Sequence, residues 1–316
     1  SSDLEVDGRI HYGSFKNGMR FAWADLPKPE DRVYLRLHVD AGSFAETDSQ
    51  AGMAHFLEHM AFNGSDNFPA GTLIEWFQDH GMSFGADTNA HTAFSETVYK
   101  LDLPNRDEKT LREGMLVMSD FAKGMTISDN EVQSEKGVID GEQRERDSAG
   151  YRVLVQGLER QYKGTLLAKR LPIGTKPVRD AFTGESVREF YEKWYRPENM
   201  TMVIVGDLRG YNPEDLIAEF FEGFAGPGTA VANEPAMGKP KQDDLTFLVS
   251  DAEIPSLQLT IANLKPYAHQ KDTVAQRSDD IALMVAHSML GQRFSEAVKL
   301  PETKYLSATV RTAGGG

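Results

Sequence analysis

Residues Met53, Ala54, Phe56, Leu57, Met60, Ala61 and Phe62 form an apolar run of helical character, yet three polar side chains, His55, Glu58 and His59, are set into it. A helix so apolar is buried, and buried imidazoles and carboxylates need partners. Positions i and i+4 share a helix face, so His55 and His59 can converge on one cation, with Glu58 at i+3 close to the same side. Neutral imidazole suits Zn2+, and a catalytic zinc site takes three protein ligands and leaves one position open. The third ligand must come from a distant segment.

Composition narrows the alternatives. The chain has 316 residues, 40% hydrophobic and 26% charged, a balance that fits a folded protein with room for two domains. Lysine and arginine number 34 against 48 acidic residues, a formal charge of −14. That field disfavours nucleic acid and anionic membrane surfaces, so no nucleic-acid partner is expected. There are no cysteines, which removes disulfides, thiolate catalysis and Cys-type zinc sites. No apolar run reaches the length of a membrane span. Neither a Gly-rich phosphate loop nor a nucleophile-elbow serine motif is present.

The pattern along the chain predicts an α+β fold. Alternation marks strands at Met19–Asp25 and Val33–Asp40. A helix is expected from Ser49 to Phe62, ended by Asn63-Gly64, and a second from a Thr72 cap to His80. Strands follow at Ser83–Ala90 and Glu96–Leu103, then helices at Lys109–Lys123 and Asp129–Gln161, the latter broken near Gly150. Ser128-x-x-Glu131 is a capping box for that helix, with Ile127 and Val132 as its hydrophobic staple. Glu185–Tyr195 and Pro213–Phe221 read as helices and Met200–Val205 as a buried strand. Glycine and proline crowd residues 226–244, the mark of a linker. Strands are expected beyond it at Leu245–Val249 and Ser256–Ala262, and a helix at Asp279–Leu290. The organisation predicted is a zinc-binding domain over 1–225, the linker, and the start of a second, related domain over 245–316. That last part is short for an α/β domain, so the sequence reads as a piece of a longer chain.

The segment His55-x-x-Glu58-His59, followed by Glu135 and Glu142 seven positions apart, resembles the pitrilysin (insulinase) family of zinc peptidases, M16. Seven residues are nearly two helical turns, so those two glutamates share a face. The resemblance implies two-layer domains of antiparallel sheet packed with helices, like LuxS and M16 metallopeptidases. It implies zinc on His55, His59 and Glu142, with Glu58 as general base and Glu135 supporting the site from behind. Counted from His59, Glu142 lies beyond the family's commonest spacing and Glu135 nearer to it. The reading is that Glu142 is the ligand and Glu135 the reserve candidate, with the excess placed in a loop at Pro104–Lys109.

The segment Phe84–Thr92 resembles the family's edge strand, on which a peptide adds as a further strand. Asn89 and Ala90 match the positions beside the scissile bond. Tyr191-x-x-Trp194-Tyr195-x-Pro197-x-Asn199-Met200 and Val205-Gly206-Asp207 resemble the segment closing the family's first domain. The function implied is a zinc-dependent endopeptidase acting on peptide or unfolded polypeptide. It would work with a second M16-like half, so this chain alone is expected to bind zinc and cleave poorly. Within the family the likeness is to bacterial periplasmic zinc proteases, which places the chain in the periplasm or outside the cell. The competing reading is a non-catalytic structural or peptide-binding subunit. It conflicts with the complete histidine–glutamate set.

Overall fold

A computed structural model describes residues 7–226, 233–239, 246–263 and 272–312. Residues Arg9–Ser256 form one compact unit, and residues 257–316 belong to another.

The first unit is built on a six-stranded sheet. Its strands are β1 (His11–Ser14), β2 (Arg20–Asp25), β3 (Val33–Val39), β4 (Thr88–Thr92), β5 (Thr97–Leu103) and β6 (Met200–Gly206), in the order β1-β2-β6-β3-β5-β4. The pairings are antiparallel except β2 with β6, which run parallel from Arg20–Thr201 to Asp25–Gly206. β6 enters between β2 and β3 after a long helical excursion, and such a crossover, unlike a hairpin, permits parallel pairing. Alternation decides which face is buried. Val33, Leu35, Leu37 and Val39 of β3, Tyr99, Leu101 and Leu103 of β5, and Met200, Met202 and Ile204 of β6 all point into the core. The opposite face carries polar pairs such as Arg36 with Asp102, 2.7 Å apart.

Helices cover the buried face. They are α1 (Met53–Met60), α2 (Thr72–Asp79), α3 (Glu108–Lys123), α4 (Asp129–Arg146), α5 (Ala149–Gln161), α6 (Lys176–Asp180), α7 (Gly184–Trp194) and α8 (Pro213–Phe221). A Cβ on Gly114 of α3 would stand 2.9 Å from Leu103 and 3.1 Å from Leu35, so glycine lets that helix lie close on the sheet. Each fully buried Leu, Phe or Met in this layer contributes about 1.5–3 kcal/mol. Residues 233–239 and 246–256 dock on the same unit. Leu166 N bonds Met237 O, and Arg152 pairs with Asp251.

Several expected limits move. The helix expected from Ser49 begins only at Met53, because Gly52 has φ +98° and residues 48–50 close a separate 3-10 turn. Thr72 is the first residue of α2 rather than its cap; Gly71 at φ +86° holds the cap position. Residues 83–87 form a turn in which Asp87 accepts from Ser83, so the strand starts at Thr88. The long helix breaks at 147–148, where Ser148 accepts from Tyr151 N and starts α5. The connection between β5 and α3 spans residues 104–107.

In the second unit, α9 (Val274–Ala297) starts at Thr273, whose side chain accepts from Gln276 N. It contains the helix expected at Asp279–Leu290. The two strands expected at Leu245–Val249 and Ser256–Ala262 do not form: residues 246–263 hold no strand, and Leu245 lies outside the described residues. The alternation of Leu257, Leu259 and Ile261 is real. These side chains are 87%, 82% and 91% exposed, and no neighbouring strand among the described residues takes their backbone hydrogen bonds. A strand without such a partner is not stable. Among the described residues no helix is long and apolar enough to cross a membrane.

Candidate metal centre

The site rests on two helices. α1 begins where the buried carboxylate of Glu46 accepts from Gly52 N at 3.0 Å and Ala54 N at 2.9 Å. Two amides left open at the helix start are thereby satisfied. Met53, Ala54, Phe56, Leu57 and Met60 anchor the rest of α1 in the core. Its remaining face carries His55, Glu58 and His59; His55 is 6% and Glu58 7% exposed. α4 starts at Ser128, which accepts from Glu131 N, with Ile127 and Val132 buried as a staple requires. Val132, Glu135, Ile139 and Glu142 follow at intervals of three and four, one face turned toward α1.

The two helices bring three ligand atoms together. Glu142 Oε2 lies 3.5 Å from His55 Nε2 and 3.6 Å from His59 Nε2. His55, His59 and Glu142 form the one group of three or more potential ligands among the described residues with atoms mutually within 4.8 Å. Ligand atoms about 2.0–2.2 Å from a tetrahedral zinc stand roughly 3.3–3.6 Å from one another. The spacing fits such an ion. So does the state of Glu142 Oε2, which is buried and has no hydrogen-bond partner, while the other oxygen of Glu142 is held by Arg146. A buried, unpaired carboxylate oxygen facing two imidazoles is costly unless a cation joins them.

Glu135 has a different place. Its Oε1 lies 2.7 Å from His59 Nδ1, behind the ring, and its Oε2 accepts from Asn63 Nδ2 at 2.6 Å. Glu142, not Glu135, is the carboxylate that faces both Nε2 atoms. A carboxylate behind a ligating imidazole fixes its tautomer and its orientation.

Electrostatics separate the two histidines. Burial pushes His55 down to about 3, with help from His59, Arg146 and Arg179, and keeps its imidazole neutral. Burial alone would also lower His59, but the Glu135 bond and charge, with Glu58 and Glu142, raise it above its ordinary value. Burial raises Glu135 as well, and the bonds from His59 and Asn63 outweigh it, so that carboxyl is lowered. Glu58 is raised by burial, against the bond it accepts from Thr92 Oγ1 at 2.6 Å.

β4 is the outermost strand beside this centre; besides β5 it meets only Phe84, through a bridge at Thr88, and the rest of its outer edge is open among the described residues. Asn89 is exposed and Ala90 half-buried on it. Three contacts escaped the sequence reading: Asn63 on Glu135, Arg146 on Glu142, and Thr92 on Glu58. Arg146 with Glu142 is an i+4 pair on one helix face, whereas Asn63 meets Glu135 from 72 residues away. Thr92 is a strand–helix contact with no local signature.

The site is thus a His-x-x-Glu-His helix of a sheet-and-helix unit meeting a carboxylate from a second helix. Residues 24–170 match the family model of the insulinases, peptidase family M16, and residues 181–315 match that of the M16 inactive domain. The chain belongs to peptidase family M16. All of His55, Glu58, His59, Glu135 and Glu142 fall in the first match. The chain is 36% identical over 208 residues to the probable zinc protease PqqL of Haemophilus influenzae, covering 66% of this chain and 22% of that protein. Against PqqL of Escherichia coli it is 36% identical over 205 residues, 65% of this chain and 22% of that one. The chain thus spans about a fifth of the length of these relatives. The crystal structure of the first half of the periplasmic protease PqqL from Escherichia coli superposes with a TM-score of 0.70 and 33% identity, over 75% of this chain and 50% of that one.

Proposed function

We propose that this chain is the zinc-bearing part of an endopeptidase, with zinc held by His55, His59 and Glu142 and with Glu58 as general base. The single observation that carries the reading is the approach of Glu142 Oε2 to both imidazole Nε2 atoms, 3.5 and 3.6 Å away, with Glu58 on the same helix face. Zinc held there supplies Lewis acidity, which polarises a carbonyl and acidifies water near neutral pH. Glu58, raised by burial, takes up the proton of the attacking water and returns it to the leaving amine. Glu135 keeps the Nδ1 proton on His59, so that its Nε2 lone pair faces Glu142. The open edge of β4 takes an extended peptide as a seventh strand, with Asn89 and Ala90 beside the scissile bond. The zinc-bearing domain is read as residues 1–225, with 226–244 as linker and 245–316 opening a related domain. A second M16-like half completes the enzyme and grips the substrate. The likeness to a periplasmic protease supports a periplasmic or secreted setting.

The test measures bound zinc and cleavage of an unstructured peptide by a protein carrying both halves, as parent and as Glu58→Gln. Both should hold one zinc per site. Chelator should stop the parent, and the variant should lose about 10²–10⁴-fold in rate. Equal cleavage by the variant, or cleavage indifferent to chelator, overturns the reading.

A further inference from the structure

Beside the centre, a row of hydroxyls runs from the edge of the sheet into its core. Thr92 Oγ1 lies 2.6 Å from Glu58 Oε2 and 3.4 Å from Thr97 Oγ1, its cross-strand partner on β5. Thr97 Oγ1 donates to Ala41 O at 2.8 Å. Deeper in the sheet, the hydroxyl of Tyr195 is 2.7 Å from that of Tyr99. Both phenols are buried.

Proton counting fixes the direction at the Glu58 end. A threonine hydroxyl has one proton. Thr97 spends its proton on Ala41 O, so it has none for Thr92. An ionised carboxylate only accepts, so the Thr92 proton must point at Glu58. The bond to Ala41 O holds buried Thr97, the neighbour against which Thr92 lies. Thr88, Ala90 and Thr92 share the inward face of β4, and Asn89 and His91 point away.

We infer that Thr92 is a positioning residue for Glu58: its hydroxyl fixes one carboxylate oxygen and leaves the other to face the reacting water. The inference rests on the reading of Glu58 as base. It also joins that base to the strand proposed to receive the peptide, so carboxylate orientation and substrate strand share one rigid element.

The test uses zinc-loaded protein carrying both halves, as parent, Thr92→Val, Thr92→Ser and Glu58→Gln. Four quantities are measured: zinc affinity by chelator competition, affinity for an ordinary peptide, affinity for the same peptide bearing a hydroxamate, and kcat with KM. The hydroxamate carries an acidic proton that needs an accepting carboxylate. Thr92→Val should keep zinc affinity, ordinary-peptide affinity and KM, while hydroxamate affinity and kcat fall about ten- to a hundredfold, the loss of one hydrogen bond to a charged group. Thr92→Ser, which restores the hydroxyl, should recover most of both. Thr92→Ala should follow Thr92→Val and stands in for it should the added methyl disturb folding. Thr92→Val equal to parent, or Thr92→Ser as impaired as Thr92→Val, overturns the role of Thr92 while Glu58→Gln remains defective. Should Glu58→Gln itself bind hydroxamate and turn over like the parent, the base assignment falls first, and the role of Thr92 with it.

Discussion

His59 Nδ1 stands 2.7 Å from Glu135 Oε1. The other nitrogen of the same ring looks toward Glu142 at 3.6 Å, so one helix, α4, holds the imidazole from both sides. On the proposed reading, one carboxylate sets the tautomer and the other would share the cation. The two glutamates should therefore fail differently when removed.

Glu142→Gln should lose most zinc affinity, because it takes away a charged ligand from a centre with only three. Glu135→Gln should weaken zinc about 10–100-fold, the usual cost of losing a group that orients a ligand. Chelator competition on both variants checks the ranking. A greater loss for Glu135→Gln would exchange the two roles.

The carboxylate of Glu46 holds the first amides of α1, at Gly52 and Ala54. Glu46→Ala should destabilise the fold by about 1–3 kcal/mol, since buried amides would be left unpaired. Glu46→Gln keeps one accepting oxygen and should cost less. Urea denaturation midpoints with an unchanged m-value would report this directly.

The buried imidazole of His55 should cost the metal-free protein stability in acid. His55 is depressed to about 3 from an ordinary 6.5, so between these values the unfolded chain binds a proton that the folded chain refuses. Stability is thus lost as pH drops below 6.5, by a few kcal/mol at most. The lowered carboxyl of Glu135 acts in the same direction, its contribution vanishing as pH falls through its folded value. His59 is raised and acts oppositely: its contribution is whole below 6.5 and is lost as pH rises through its folded value. The raised carboxyls of Glu46 and Glu58 also oppose His55, since a carboxyl protonated more readily in the fold favours the fold in acid. Urea midpoints at pH 7 and 4.5 should therefore show His55→Gln losing less, or gaining more, stability in acid than the parent. An unchanged slope in that variant would contradict the assignment.

Zinc should stabilise the native state, because it binds folded ligands that the unfolded chain scatters. The gain follows RT ln(1 + [L]/Kd), about 4 kcal/mol at a thousandfold excess over Kd. Thermal melts with and without chelator should separate by several degrees in the parent and coincide in a His55→Ala, His59→Ala double variant.

The residues of α1 pointed to the centre because a buried helix with His55, Glu58 and His59 on one face must find partners for all three polar groups: the two imidazoles meet Glu142, and Glu58 accepts from Thr92. The strands β3, β5 and β6 were equally legible, since each alternates strictly between one buried face and one polar face. Helix geometry alone did not separate Glu142 from Glu135, since seven residues put both on one face; the choice of Glu142 rested on the family resemblance, and the approach of α4 to α1 brings that residue to both imidazoles. The parallel pairing of β6 with β2 depends on contacts far apart in sequence. Leu257, Leu259 and Ile261 misled in the other direction: their alternation signals a strand, but pairing is a property of neighbours and not of the segment. Thr92 has only the signature of a strand residue, since its contact with Glu58 arises where β4 and α1 meet.

The most direct measurement is an anomalous difference map collected at the zinc absorption edge from crystals of the zinc-loaded protein. One peak about 2.0–2.2 Å from His55 Nε2, His59 Nε2 and a Glu142 oxygen is the expected result. A peak on Glu135 instead, or no peak near these three atoms, would contradict the assignment of the metal centre.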